Sequence, residues 1–117
     1  MPTLRDLIDA LRARADTAGA VVLGRDGLVV DAGGLSPDEA EHLAAVAPGI
    51  ASVGDAVGSA AGQGGLTTAV LEFERGLAVV SVLSPEVLLI VRLAPDADPG
   101  PLVYELRRHR ARLSALV

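Results

Sequence analysis

The chain has 117 residues, enough for one ordinary domain with its own core. It has no cysteine, which excludes disulfides, thiolate nucleophiles and cysteine metal sites and fits a cytoplasmic protein. Its formal charge is −5, all ten basic residues are arginine and the aromatics are one Tyr and one Phe, so the basic, stacking surface of a nucleic-acid binder is missing.

Hydrophobic residues make up 50% of the chain and the mean hydropathy is +0.45, high for a small domain. Part of that apolar surface is expected to be covered by another subunit. No N-terminal signal pattern is read, because Arg5, Asp6 and Asp9 interrupt the first apolar segment. The longest uncharged run, Ala56 to Leu71, is too short and Gly-rich to span a bilayer.

The first helix is expected from about Pro2 to Ala15. Leu4, Leu7, Ile8 and Leu11 recur at i, i+3, i+4 and i+7, and Thr3 can cap the start. A hairpin follows over Gly19 to Ala32. Its strands are Ala20–Leu23 and Leu28–Ala32, and its turn pivots on Asp26-Gly27, where glycine supplies a positive φ. Ser36-Pro37-Asp38-Glu39 is a strong helix start, with a capping box and a proline in the first turn.

The second helix then runs to about Ala60 and carries two stripes. The larger residues Leu43, Val46, Ile50, Val53 and Val57 are expected to pack on the protein's own sheet. The small residues Ala40, Ala44, Ala47, Ala51, Gly54 and Gly58 would let a second backbone approach. Pro48 lies inside this helix. Its missing N–H and its clash with the previous turn cost about 3 kcal/mol or more, so a kink or break is expected there.

After a Gly-rich connector, Ala61 to Gly65, three apolar strands are read at Leu66–Glu74, Leu77–Ser84 and Val87–Leu93. The last two are apolar on both alternating faces and should be covered on both. A Pro/Asp-rich loop, with Asp98 able to cap, leads into one closing helix that reaches near the C-terminus.

No grouping of residues points to catalysis. Gly62-Gln63-Gly64-Gly65 lacks the Lys-Ser/Thr pair of a phosphate loop and opens a strand, so it reads as a connector. His42, beside Glu39 and Glu41, reads as a surface histidine. Glu72 and Glu74 share one strand face and read as a solvated edge. The arginines from Arg107 to Arg112 read as a solvated helix face favoured by the helix dipole, with an anionic partner as the alternative. Arg75, at a turn tip, reads as an ordinary charged turn residue rather than an arginine finger. Neither a metal site nor a cofactor site is found.

The ordered set is more specific than any one motif. The Ala20-Val21-Val22-Leu23-Gly24-Arg25-Asp26-Gly27 hairpin, the Ala-rich second helix around Leu43 to Ala51 and the Glu72 to Gly76 turn resemble the roadblock, or dynein light chain, family over nearly the whole chain. The helix segment is similar to that of the bacterial MglB-like branch.

The resemblance implies an α+β fold of the order αββαβββα. It has a five-stranded antiparallel sheet, with helix 2 on one face and helices 1 and 3 on the other. It also implies a non-enzymatic homodimer, without cofactor, that binds a small Ras-like GTPase and modulates its hydrolysis; an assembly adaptor is the alternative.

The dimer interface is expected at Ala44, Ala47, Ala51 and Gly54 of helix 2 and at Thr68, Val70 and Glu72 of strand 3. A free apolar edge strand there would otherwise invite aggregation. The GTPase is expected on the exposed side of the paired helices, at Glu41, His42, Ala45, Ser52 and Asp55.

Overall fold

The computed structural model describes residues 2–117. Helix α1 (Leu4–Arg12) opens on a capping box: Thr3 Oγ1 accepts the Asp6 N–H at 3.2 Å and the Asp6 carboxylate accepts the Thr3 N–H at 2.9 Å. The helix ends before the expected Ala15, because the chain turns through Arg14 to Asp16 and enters strand β1 (Thr17–Gly24) early. Gly19 therefore lies inside β1, at a register shift. A Cβ there would collide with the Leu35 side chain, so this position needs glycine to let the β2–α2 connection pass.

The turn into β2 (Val29–Gly33) has Gly27 at φ +87°, as the Asp-Gly pair predicted. Helix α2 (Pro37–Ala60) begins with the expected Ser36–Glu39 capping box. It continues through Pro48 as one helical element, which corrects the expectation of a break. Pro48 leaves the Ala44 carbonyl without its i+4 donor. The hairpin tip at Gly27 packs against that carbonyl: a Cβ added to Gly27 would sit 3.6 Å from the oxygen. Tertiary packing thus holds the helix where propensity alone would interrupt it.

Strands β3 (Thr68–Phe73), β4 (Gly76–Ser84) and β5 (Val87–Leu93) follow, then α3 (Gly100–Arg108) and α4 (Arg110–Ser114). The Asp98 carboxylate accepts the Gly100 N–H at 2.9 Å in the turn before α3, but the N-cap position falls on Pro99 and carries no side-chain cap, which corrects the expectation of an Asp98 cap. The single closing helix expected from sequence is divided at His109, whose φ of −105° and ψ of 15° leave the helical region.

All strand pairs are antiparallel and the order is β2-β1-β5-β4-β3. The central strands are buried on both faces, as their continuous apolar runs predicted. Val21, Leu23, Ala78, Val80, Leu88 and Ile90 form one core layer with α2. Ala20, Val22, Val79, Leu89 and Val91 form the other with α1 and α3. This is the expected architecture. The sheet edges are β2 and β3.

Two glycines of α2 predict opposite mutational effects. A Cβ at Gly58 would collide with the backbone carbonyl of Gly64, whereas one at Gly49 meets nothing within 4 Å. Thermal denaturation should show Gly58→Val losing about 1–3 kcal/mol. Gly49→Ala should gain about 0.5–1 kcal/mol through helix propensity.

Candidate functional site

The two stripes of α2 are used the opposite way from the sequence expectation. Ala44, Ala47 and Ala51 are fully buried against the protein's own sheet, with Ala40 beside them, so they cannot reach a second subunit. Gly54 faces inward as well, against the Leu66 side chain. Small residues let α2 lie close to the twisted sheet. The larger row is then left outside: Val46, Val53 and Val57 are 59%, 66% and 64% exposed, while Leu43 and Ile50 are half-buried between the rows. Leu43, Val46, Ile50, Val53 and Val57 repeat at alternating spacings of three and four, the pattern of a helix that packs along a partner helix.

By composition and length α2 is also apolar enough to cross a membrane. Its alanine row is committed to the sheet, so the apolar surface on offer is this one valine row. The β1–β2 hairpin tip abuts α2 at Ala44 and Ala45. Residue spacing places the valines on the other flank, toward the β3 edge.

Strand β3 pairs with β4 on one side, from Thr68↔Ser81 to Phe73↔Gly76, and has no strand on its other side. Ala69 and Leu71 pack beneath α2, so alternation turns Thr68, Val70 and Glu72 to the opposite face. Val70 is 44% exposed and Phe73 59%. Of the expected interface residues, the structure therefore brings Thr68, Val70 and Glu72 to one free edge. It removes the three alanines and turns Gly54 inward.

Residues 3–93 match the family model of the Roadblock/LC7 domain. The chain belongs to the Roadblock/LC7 domain family. A Roadblock/LC7 domain from Streptomyces avermitilis is 32% identical, with a TM-score of 0.83 over 96% of this chain and 95% of that one. Myxococcus xanthus MglB is 14% identical, with a TM-score of 0.81 over 94% of this chain and 90% of its own. The gliding protein MglB from Thermus thermophilus is 20% identical, with a TM-score of 0.79 over 97% of this chain and 86% of its own. At those identities the two MglB proteins show a shared fold. No curated protein sequence matches the chain.

The outward face of α2 in this Roadblock/LC7 domain carries Glu41, His42, Ala45 and Ser52, all exposed. Helical spacing rotates Glu41, Ala45 and Ser52 away from both the alanine row and the valine row, so they stay accessible if the valines are covered, whereas His42 lies one turn before Val46 at the border of the valine row. Asp55 does not join them. Its carboxylate accepts the Leu66 N–H at 2.7 Å and pairs with Arg25 at 3.2 Å, tying the end of α2 to the start of β3 and to the hairpin. Asp55 is thus an anchor of the fold and is withdrawn from the expected GTPase surface.

The Leu66 N–H, and after it the Arg25 guanidinium, hold the Asp55 carboxyl below its ordinary pKa. The Ser36 backbone and hydroxyl, and then Arg92, do the same for Glu39. A depressed folded pKa means stability that is present above the ordinary carboxylate range and lost as pH falls through the folded value. Asp55→Ala should therefore lower Tm by a few degrees at pH 7, and that difference should begin to shrink near the ordinary aspartate pKa of about 4 and diminish further as the pH falls through the lower folded value. Scanning calorimetry across this range checks it.

Sequence reasoning missed Val46, Val53, Val57 and Phe73 as surface residues. The alanine row from Ala40 to Ala51 and the larger row share one three-and-four spacing, so periodicity did not separate the buried face from the exposed one.

Proposed function

We propose that two copies of this chain join through the β3 edge and the valine row of α2, and that the homodimer is a non-enzymatic regulator of a small Ras-like GTPase in the cytoplasm. The observation that carries the self-association is a single molecular edge with exposed apolar groups on both sides of the sheet: Val46, Val53 and Val57 on the β3 flank of α2 with Phe73 on the same face of the unpaired strand, and Val70 on the strand's opposite face. Exposed apolar groups beside an unpaired edge mark a protein contact rather than a free surface. Pairing β3 with its copy would remove the edge and extend the sheet across the dimer. The same operation would set the two α2 helices side by side through their valines.

The GTPase reading rests on family membership and on the shared fold with MglB proteins. With the valines covered, Glu41, Ala45 and Ser52 from both copies would line one shallow, small-residue platform, with His42 at its border with the valine contact. Such a surface binds by shape, with polar groups setting orientation.

Sedimentation at micromolar concentration tests the dimer, and a monomer at all accessible concentrations would sink it. Retention of a small GTPase from the same cell, loaded with GDP or with a non-hydrolysable GTP analogue, tests the partner. Binding without any change in hydrolysis would leave an assembly adaptor.

A further inference from the structure

The end of β4, the turn after β1, the segment leading into β3 and the last two helices border an open, shallow cleft of about 730 Å³. Four of the ten arginines line it: Arg25, Arg107, Arg108 and Arg110. Asp55 is the one acidic residue in the lining, and its charge is spent on Arg25. Among the described residues no carboxylate lies within 4.0 Å of Arg107, Arg108 or Arg110. In a chain of charge −5, three unpaired guanidiniums gathered in one cleft form a local reversal of sign.

One of the cations is held in place and a second is lightly engaged. Asp55 fixes Arg25, whose Nε is buried with no hydrogen-bond partner in the protein. Arg110 reaches across to the Val82 carbonyl at 3.4 Å and the Thr68 hydroxyl at 3.5 Å, contacts at the long limit that leave most of its donors free. Between the arginines the wall is apolar, from Leu66, Val82, Leu83 and Pro85. No aromatic side chain lines the cleft, so a nucleotide base would find nothing to stack on.

We infer that this cleft receives an acidic, partly apolar peptide segment of a partner protein. Its carboxylates would meet the arginine forks and its aliphatic side chains the wall between them. Guanidiniums match carboxylates in pairs of parallel hydrogen bonds, and an Arg25 already fixed by Asp55 reduces the ordering needed on binding. The inference does not depend on the identity of the GTPase or on the regulatory reading.

The test is fluorescence anisotropy at low salt with a short labelled peptide alternating glutamate and leucine. The comparison ligands are a peptide of the same charge with serine for leucine, and vesicles containing phosphatidylserine. The wild-type protein should bind the glutamate–leucine peptide best. Arg107→Glu/Arg108→Glu should weaken it on the order of tenfold or more. Arg12→Glu/Arg75→Glu, an equal charge change elsewhere, should leave it within about twofold, since distant exposed charges are screened.

Circular-dichroism melting checks the fold, with Arg107→Gln/Arg108→Gln as the milder pair if the reversal unfolds. No peptide binding, equal loss in both charge-reversed pairs, or preference for vesicles over peptide would each overturn the inference. Loss of self-association by Arg107→Glu/Arg108→Glu at unchanged fold would assign the arginines to the subunit contact and overturn it as well.

Discussion

Val53→Glu is expected to convert the proposed dimer, measured at micromolar concentration, into a monomer with the fold intact. Val53 is 66% exposed in the protomer, so a glutamate there has water in the isolated subunit and costs the fold little. In the proposed dimer the same position lies in the helix–helix contact, and symmetry introduces the charge twice. Desolvating two like charges should weaken association on the order of a hundredfold or more, equivalent to about 3 kcal/mol.

Ala47→Glu should behave differently. Its site is fully buried between α2 and the sheet, so the protein should unfold rather than dissociate. Val30→Glu supplies the control, because Val30 is 54% exposed near the opposite sheet edge and should leave the dimer unchanged. Analytical ultracentrifugation beside circular dichroism separates these outcomes. A dimer that survives Val53→Glu would remove α2 from the interface.

The contrast between Val53 and Ala47 also marks where sequence reading stops. The order of elements, both capping boxes, the Asp26-Gly27 turn and the two-sided burial of β4 and β5 were legible, because each follows from local chemistry or a short period. The assignment of α2's two faces was not. Both rows are apolar, and hydrophobicity alone ranks valine above alanine for the core. The distance between helix and sheet decides instead: alanines at the contact let α2 lie close, and that closeness leaves no room for a row of valines.

Pro48 shows a related limit. Its local penalty is legible in the sequence, but the hairpin tip that packs on the freed Ala44 carbonyl is distant along the chain. Asp55 was misplaced for the same reason. As an acid off the apolar stripe it resembled a surface residue, and only the folded chain brings Arg25 and the Leu66 N–H to it. The arginine cleft is likewise a product of topology, since Arg25 and Arg110 are 85 positions apart and meet at one end of the sheet.

In the proposed regulator of a small GTPase, Ala45→Arg is expected to abolish stimulation of single-turnover GTP hydrolysis, while Arg75→Ala is expected to retain it. Ala45 is exposed on the outward face of α2, rotated away from both the alanine and the valine rows. An arginine there should leave stability and dimerisation nearly unchanged, because surface substitutions of this kind stay within about 0.5 kcal/mol. On a platform that binds by shape, the long side chain stands in the contact itself, and a loss of binding on the order of a hundredfold is expected for a central position.

Arg75 occupies the β3–β4 turn and forms no ion pair among the described residues, so it has the freedom that an arginine finger would need. It stands on the β3–β4 edge hairpin, however, whereas Glu41, His42, Ala45 and Ser52 stand on α2. Stimulation through those residues would act by repositioning the GTPase's own loops. An arginine donated into the active site is worth about 10³–10⁵ in rate, so its removal could not pass unnoticed. Loss of stimulation in Arg75→Ala with retention in Ala45→Arg would transfer the active surface from α2 to the β3–β4 turn.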